Sequence, residues 1–145
     1  SFKSEKTPPD VVVILEAARP LVHHETIKDL LAELDPRYCG VVPVMRPVNS
    51  MDLHDVETNK MTHLPRSHVW EILMPQIFYT EPLYRALRGT ESFEGATSHH
   101  GVIAAHDPGS KALFVQMADD VRWQFHKITY PWDKAVVEAL YEEHN

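Results

Sequence analysis

Lys111-Ala112-Leu113-Phe114-Val115-Gln116-Met117 and, a few residues on, Val121-Arg122-Trp123-Gln124-Phe125-His126-Lys127-Ile128-Thr129-Tyr130 are the two runs whose reading decides the fold. Both are rich in β-branched and aromatic residues, which suit a pleated, half-buried surface. Turn formers bound them: Asp107-Pro108-Gly109-Ser110 before the first, Asp119-Asp120 between the two, Pro131 after the second. They read as strands of an antiparallel meander, with Phe93 to His106 as the strand before them.

Alternate side chains of a strand point to opposite faces. With tight turns at Pro108-Gly109 and Asp120, one face carries His99, Gly101, Ile103, Phe114, Gln116, Trp123, Phe125 and Lys127. The other carries His100, Val102, Ala104, Leu113, Val115, Met117, Gln124, His126, Ile128 and Tyr130. This second face is apolar with a few polar groups, the composition of a small-molecule pocket. A slip of one residue exchanges the faces. The rival reading makes one face core and the other a dimer interface, with no ligand.

Upstream, residues 1–9 read as a loose leader. Asp10 caps a short buried helix over Val11-Val12-Val13-Ile14-Leu15, favoured by Pro9 before it and Glu16-Ala17-Ala18 after it. Ile27, Leu30, Leu31 and Leu34 recur at helical spacing, and Asp35-Pro36 ends that helix. Tyr38 to Met45 reads as a strand, placed at a sheet edge by Pro43 and Pro47. Residues 46–66 read as a long irregular loop, a lid or a binding loop. Ser67 caps a helix bearing Val69, Ile72, Leu73 and Ile77, which Pro75 kinks or ends; Thr80 caps another, with Leu83 and Leu87 inward and Gly89 at its end. Asp133 begins a terminal helix bearing Val136, Val137, Leu140 and Tyr141. The expectation is one α+β domain over residues 1–145, its helices on one face of an antiparallel sheet.

Composition narrows the partners. A net charge of −7 with scattered Lys and Arg repels phosphate backbones, so nucleic acid is not an expected partner. Cys39 is the single cysteine, so no intrachain disulfide forms, and a reducing, cytoplasmic setting is expected. Cys39 itself reads as a small apolar core residue. No run approaches a membrane span, and the polar Ser1 to Lys6 stretch lacks the apolar segment of a signal peptide.

Several residues could carry chemistry. One imidazole of His99-His100 faces inward in either register, and an imidazole suits proton transfer in both directions. The plain alternative is a buried histidine satisfied by a carbonyl. His126 shares the face of His100. Tyr130 and Asp133 stand at the rim, Asp133 serving equally well as the N-cap of the last helix. Asp52, His54, Asp55, Glu57, His63 and His68 are metal-ligand types, yet their spacing fits no ligand pattern, and a solvated loop explains them more simply. His23-His24 reads as surface or capping. No glycine-rich phosphate loop, G-x-S-x-G or cysteine nucleophile arrangement is present, so the expected chemistry is acid–base work without nucleotide, redox cofactor or metal.

The order of elements is similar to the SnoaL-like cyclase group of the NTF2-like superfamily. The similarity rests on Trp123 to Asp133, an aromatic-bearing strand leading through Ile128, Tyr130 and Asp133 into a helix, and on the hairpin made by His99 to Ala104 and Lys111 to Val115. It implies a cone-shaped fold with a pocket inside a curved sheet, and a homodimer formed across the sheet's outer face. The implied activity is a cofactor-free cyclase, dehydratase or isomerase acting on a hydrophobic polyketide or terpenoid, or a noncatalytic binding module. On this reading His100, His126, Asp133 and Tyr130 are catalytic, and His99, Trp70, Met117, Gln124 and Val115 bind the substrate. The stretch from Lys111 to Asp133 is short for that family's long strands.

Overall fold

The computed structural model describes residues 10–89 and 98–145. The leader at 1–9 and the part of the Phe93–His106 segment before Ser98 lie outside them. The described residues form a mixed sheet covered by helices on both faces, in place of the expected cone with helices on one face.

Strand β2 (Gly40–Met45) is the hub. Strand β6 (Gln76–Tyr79) pairs antiparallel with its first half and β5 (Glu71–Ile72) with its second. Strand β7 (Ala112–Gln116) runs parallel along its other edge, and β1 (Val11–Ile14) completes the sheet beyond β6. Every residue of β2 is buried. A central strand buried on both faces reads as a continuous apolar run rather than an alternation, and Gly-Val-Val-Pro-Val-Met is such a run.

Pro43 therefore sits in a central strand and not at the expected edge. Its carbonyl accepts from Leu73 N–H, so its nitrogen faces the same side. There the neighbouring strand is interrupted between β5 and β6, and no ladder bond is lost.

The two faces of β2 bury different partners. Val42 and Val44, with Phe78 of β6, pack against Leu83 and Ala86 of helix α2 (Thr80–Gly89) and Val102 and Ile103 of helix α3 (His99–His106). Val41 and Ile77 pack against Leu30 of helix α1 (His24–Ala32), with Val115 and Met117 at the margin. Met45 meets Leu73 and Phe125. Helix α4 (Asp133–His144) closes the chain.

Four expectations change here. Val11–Ile14 is a strand: β-branched side chains prefer it, and the edge of β6 away from β2 pairs with it antiparallel. The 46–66 stretch holds a hairpin, β3 (Met51–Asp55) with β4 (Lys60–Leu64), whose turn carries Asn59 at φ 53°. Ser67 caps no helix; a 3-10 turn at Arg66–His68 leads into β5. The meander is absent. Ser98 accepts from Gly101 N–H and starts α3, and Asp119–Phe125 is a 3-10 segment.

The supposed outer face disappears with the meander. Ile103 and Phe125 are buried core residues, Trp123 lies edge-on to His23 and stacks on His144, and Phe114 alone of that apolar set is exposed. The sheet face across which the implied homodimer would form is not present among the described residues. Three helical expectations hold: α1 buries Leu30, α2 buries Leu83 and ends at Gly89, and α4 begins at Asp133 and buries Val137. No helix is long and apolar enough to cross a membrane, among the described residues.

Candidate functional site

Where β1 ends, the chain turns through Leu15 to Val22 and passes alongside the segment 124–128. Three interactions fasten these two stretches, and Gln124 extends the join to the start of α1. Gln124 Oε1 accepts from Thr26 Oγ1 at 2.7 Å and from His23 N–H at 3.2 Å. Arg19 Nη1 donates to the Phe125 carbonyl. Ile128 N–H donates to the Ala18 carbonyl at 2.8 Å. Lys127 Nζ lies 2.5 Å from Glu16 Oε1.

Glu16 bridges the two cations, because its second oxygen accepts from Arg19 Nε at 2.7 Å. Its bond to Lys127, with the Arg19 contact, holds its carboxyl below the usual carboxylate range. A carboxylate whose pKa is lowered by folding stabilises the fold above its ordinary value of 4.5 and loses that contribution as pH falls through the folded value. Glu16→Gln is therefore expected to flatten the acid limb of a stability–pH profile below 4.5, measured by urea denaturation at stepped pH. An unchanged limb would mean that the bridge is not formed in solution.

Arg19, Glu16 and Lys127 form one wall of a cleft of about 660 Å³ at this end of the sheet. Its floor is Ile14, Ile72 and Gln76, and its far wall is the start of α3, Ser98, His99 and His100. A second cleft of about 380 Å³ shares Arg19 and Lys127 and adds Arg122, Glu71 and His126. These volumes suit small ligands. Two cations around one carboxylate leave this wall with one net positive charge, which suits an anion.

The expected site residues scatter. His99 and His100 reach the larger cleft, from a helix start instead of a strand. Burial lowers the pKa of both, further at His100 through His99, so they stand as neutral imidazoles near pH 7. His126 lies in the smaller cleft, its Nε2 3.5 Å from Asp133 Oδ1 and without hydrogen-bond geometry. Asp133 Oδ2 accepts from Thr129 and Tyr130 N–H, each at 2.7 Å, and those bonds to Tyr130 and Thr129 lower its pKa. It ties down the approach to α4.

Tyr130 is exposed and stacked on Trp132. Gln124 is engaged with α1, and Val115 and Met117 pack against the core. Trp70 lies under the Arg46 guanidinium, 3.4 Å from ring centroid to Cζ. Among the polar residues of the hairpin, His63 pairs with Asp52 at 2.9 Å and His54 with Asn59 at 3.0 Å, both exposed. No group of three or more metal-ligand side chains converges among the described residues.

Sequence reasoning passed over Glu16, Arg19, Gln76 and Lys127. Glu16 counted as helical tail, Lys127 lay on the strand face opposite the expected pocket, and Arg19 and Gln76 were not singled out. The available signal was an acid and a base three residues apart, directly after a β-branched run and before Pro20.

A family model described as IspD, 2-C-methyl-D-erythritol 4-phosphate cytidylyltransferase, matches residues 3–143. A protein of that name from Aliivibrio fischeri strain ES114 is 32% identical over 141 residues, covering 95% of this chain and 56% of that protein. The one from Chlorobium chlorochromatii is 30% identical, covering 93% of this chain and 52% of its own length. The chain thus spans about half the length of these relatives. In fold, the 4-diphosphocytidyl-2C-methyl-D-erythritol synthase of Anaerococcus prevotii superposes with a TM-score of 0.80 at 17% identity, over 97% of this chain and 63% of that one.

These matches overturn the resemblance to SnoaL-like cyclases, together with the polyketide or terpenoid lyase–isomerase activity, the NTF2-like binding module and the hydrophobic substrate drawn from it. The sheet order agrees, since a central strand with one parallel neighbour and helices on both faces is no cone. The cleft agrees too, being walled by Glu16, Arg19 and Lys127 where an apolar cavity was expected. By sequence, the chain belongs to the 2-C-methyl-D-erythritol 4-phosphate cytidylyltransferase (IspD) family.

Proposed function

We propose that this chain carries the acceptor-phosphate side of a cytidylyltransferase site, binding a sugar-alcohol phosphate of the kind named by its family. The observation that supports this is the pair of cations, Arg19 and Lys127, held together on one cleft wall by Glu16.

In cytidylyl transfer an oxygen of the acceptor's phosphate attacks the α-phosphorus of cytidine triphosphate. A P–O bond forms there, the bond to the β-phosphate's bridging oxygen breaks, and pyrophosphate leaves with the electron pair. Two anions must approach each other, so the main task of the protein is positioning and charge compensation. Arg19, anchored through Nε to Glu16 and through Nη1 to the Phe125 carbonyl, supplies a fixed positive charge with Nη2 left to donate. Lys127, half exposed, is the cation free to move from Glu16 to an arriving phosphate. The neutral His99 and His100 add hydrogen-bonding capacity without charge.

Calorimetric titration of the chain with 2-C-methyl-D-erythritol 4-phosphate tests the reading, followed by pyrophosphate release on adding cytidine triphosphate. Saturable binding that weakens as salt rises is expected, because both contacts are ionic. Absence of binding at millimolar ligand would overturn it.

A further inference from the structure

Among the described residues, three buried side-chain polar atoms lack a hydrogen-bond partner: Gln76 Oε1, His100 Nδ1 and His126 Nε2. The first two belong to side chains that line the larger cleft, each atom itself screened from solvent by its neighbours. Buried polar atoms are nearly always paired, and an unpaired one disfavours folding by on the order of tenfold in the equilibrium. Two in one cleft therefore point to what the cleft accepts.

The chemistry of Gln76 is set by its neighbours. Gln76 is 2% exposed, and one end of its amide meets the Leu73 carbonyl at 3.2 Å. A carbonyl only accepts, so the amide NH₂ must be the end that faces it. The oxygen is then the end left over, a fixed acceptor.

The neighbours of His100 leave it two forms. Ser98 Oγ accepts from Gly101 N–H at 3.4 Å, which leaves its own proton to point elsewhere; His100 Nε2 stands 3.5 Å away. That contact fits either tautomer, because the hydroxyl can donate to a bare Nε2 or accept from a protonated one. His100 Nδ1 is unused in both, a donor in the first and an acceptor in the second. The ring is held edge-on to Phe114, with centroids 5.3 Å apart.

One unused acceptor and one unused ring nitrogen, beside a wall of two cations, match hydroxyl groups, which can both donate and accept. We propose that Gln76 Oε1 and His100 Nδ1 recognise hydroxyl groups of the bound sugar-alcohol phosphate, and so set its selection over other phosphate monoesters. This rests on the reading of the cleft given above: Arg19 and Lys127 hold the anion, and Gln76 and His100 read the carbon chain attached to it. They are specificity-determining residues, and the transfer itself passes through neither.

The experiment compares two probes by calorimetry, 2-C-methyl-D-erythritol 4-phosphate and methyl phosphate, which keeps the anion and has no carbinol hydroxyl. Gln76→Met and His100→Leu are each expected to weaken the first about tenfold, the value of one hydrogen bond whose partner is left unsatisfied, and the second less than twofold. His100→Asn, whose side-chain amide can stand in for Nδ1 as donor or acceptor, should recover most of the loss. If Gln76→Met fails to fold, the half-buried His100 pair of variants carries the test. Equal weakening of both probes, or no weakening of either, overturns the proposal. So does a wild-type chain that binds both probes equally, while leaving the anion site standing. A wild-type chain that binds neither removes the cleft reading itself, and this inference with it.

Discussion

Lys127→Met is expected to weaken binding of 2-C-methyl-D-erythritol 4-phosphate by about 30- to 100-fold, with little change in stability. A hydrogen bond to a charged partner contributes roughly 1.5–3 kcal/mol, which is about one to two powers of ten in affinity. The Lys127 side chain is 46% exposed and its structural partner is Glu16. Its loss leaves Glu16 paired with Arg19, so no buried charge is stranded. Arg19 is a less clean target: its side chain is 14% exposed, and it also holds the Phe125 carbonyl. Removing it would unfasten the 15–22 turn from the 124–128 segment, and binding would fall together with stability. Calorimetry with circular dichroism separates the two variants. Lys127→Arg should retain much of the affinity, since the charge remains. A Lys127→Met chain that binds within threefold of wild type would place the anion elsewhere.

How much of this was legible in the sequence depends on whether a segment has one wet face. Helix α1 has one, and its 3.6-residue period marks it; α2 and α4 likewise. Strand β7 is bounded by turn residues and was read correctly. The hairpin β3–β4 has no buried face, for all but one of its strand residues are exposed. Hydrophobic periodicity has nothing to report there.

The misread of His99–His106 is of another kind. Val102 and Ile103 are adjacent and β-branched, which suggests a strand. They are also both core residues beside α2, and Ser98 was the helix-start signal that went unused. In Asp119–Phe125 an apparent alternation of Val121, Trp123 and Phe125 is realised as a tight turn, with Phe125 alone driven into the core. The site suffered from these errors in turn. Glu16 and Lys127 are 111 positions apart, and only the return of the chain past β1 brings them together. His99 and His100 were noticed as a chemical pair, which survives any misassignment of the backbone under them.

The sheet that carries the site hangs on one position without a side chain. Gly40 faces Phe78 on one side and Ala112 on the other. A Cβ there would overlap the Ile77 carbonyl oxygen and the Phe78 ring, and would stand 2.9 Å from Phe78 Cα. Two of these three neighbours are backbone, and both flanking strands are paired, so nothing can give cheaply. Overpacking of a dense core costs about 1–3 kcal/mol and occasionally more. Gly40→Ala is expected at the upper end, about 3 kcal/mol, against a total stability of roughly 5–15 kcal/mol for a domain. The melting temperature should fall by on the order of 10 °C. Strand β6 also carries Gln76 to the cleft floor, so a displaced β6 should weaken ligand binding in whatever fraction stays folded. Phe78→Leu supplies the control. It loses packing by itself, yet it removes the ring that the new methyl strikes. Gly40→Ala should therefore cost less in the Phe78→Leu background than alone, a coupling expected of residues in contact. The relief must remain partial, because the Ile77 carbonyl is still in the way. Strict additivity of the two substitutions in urea denaturation would place the strain at the backbone alone, and a Gly40→Ala chain as stable as wild type would mean that β2 and β6 do not approach this closely.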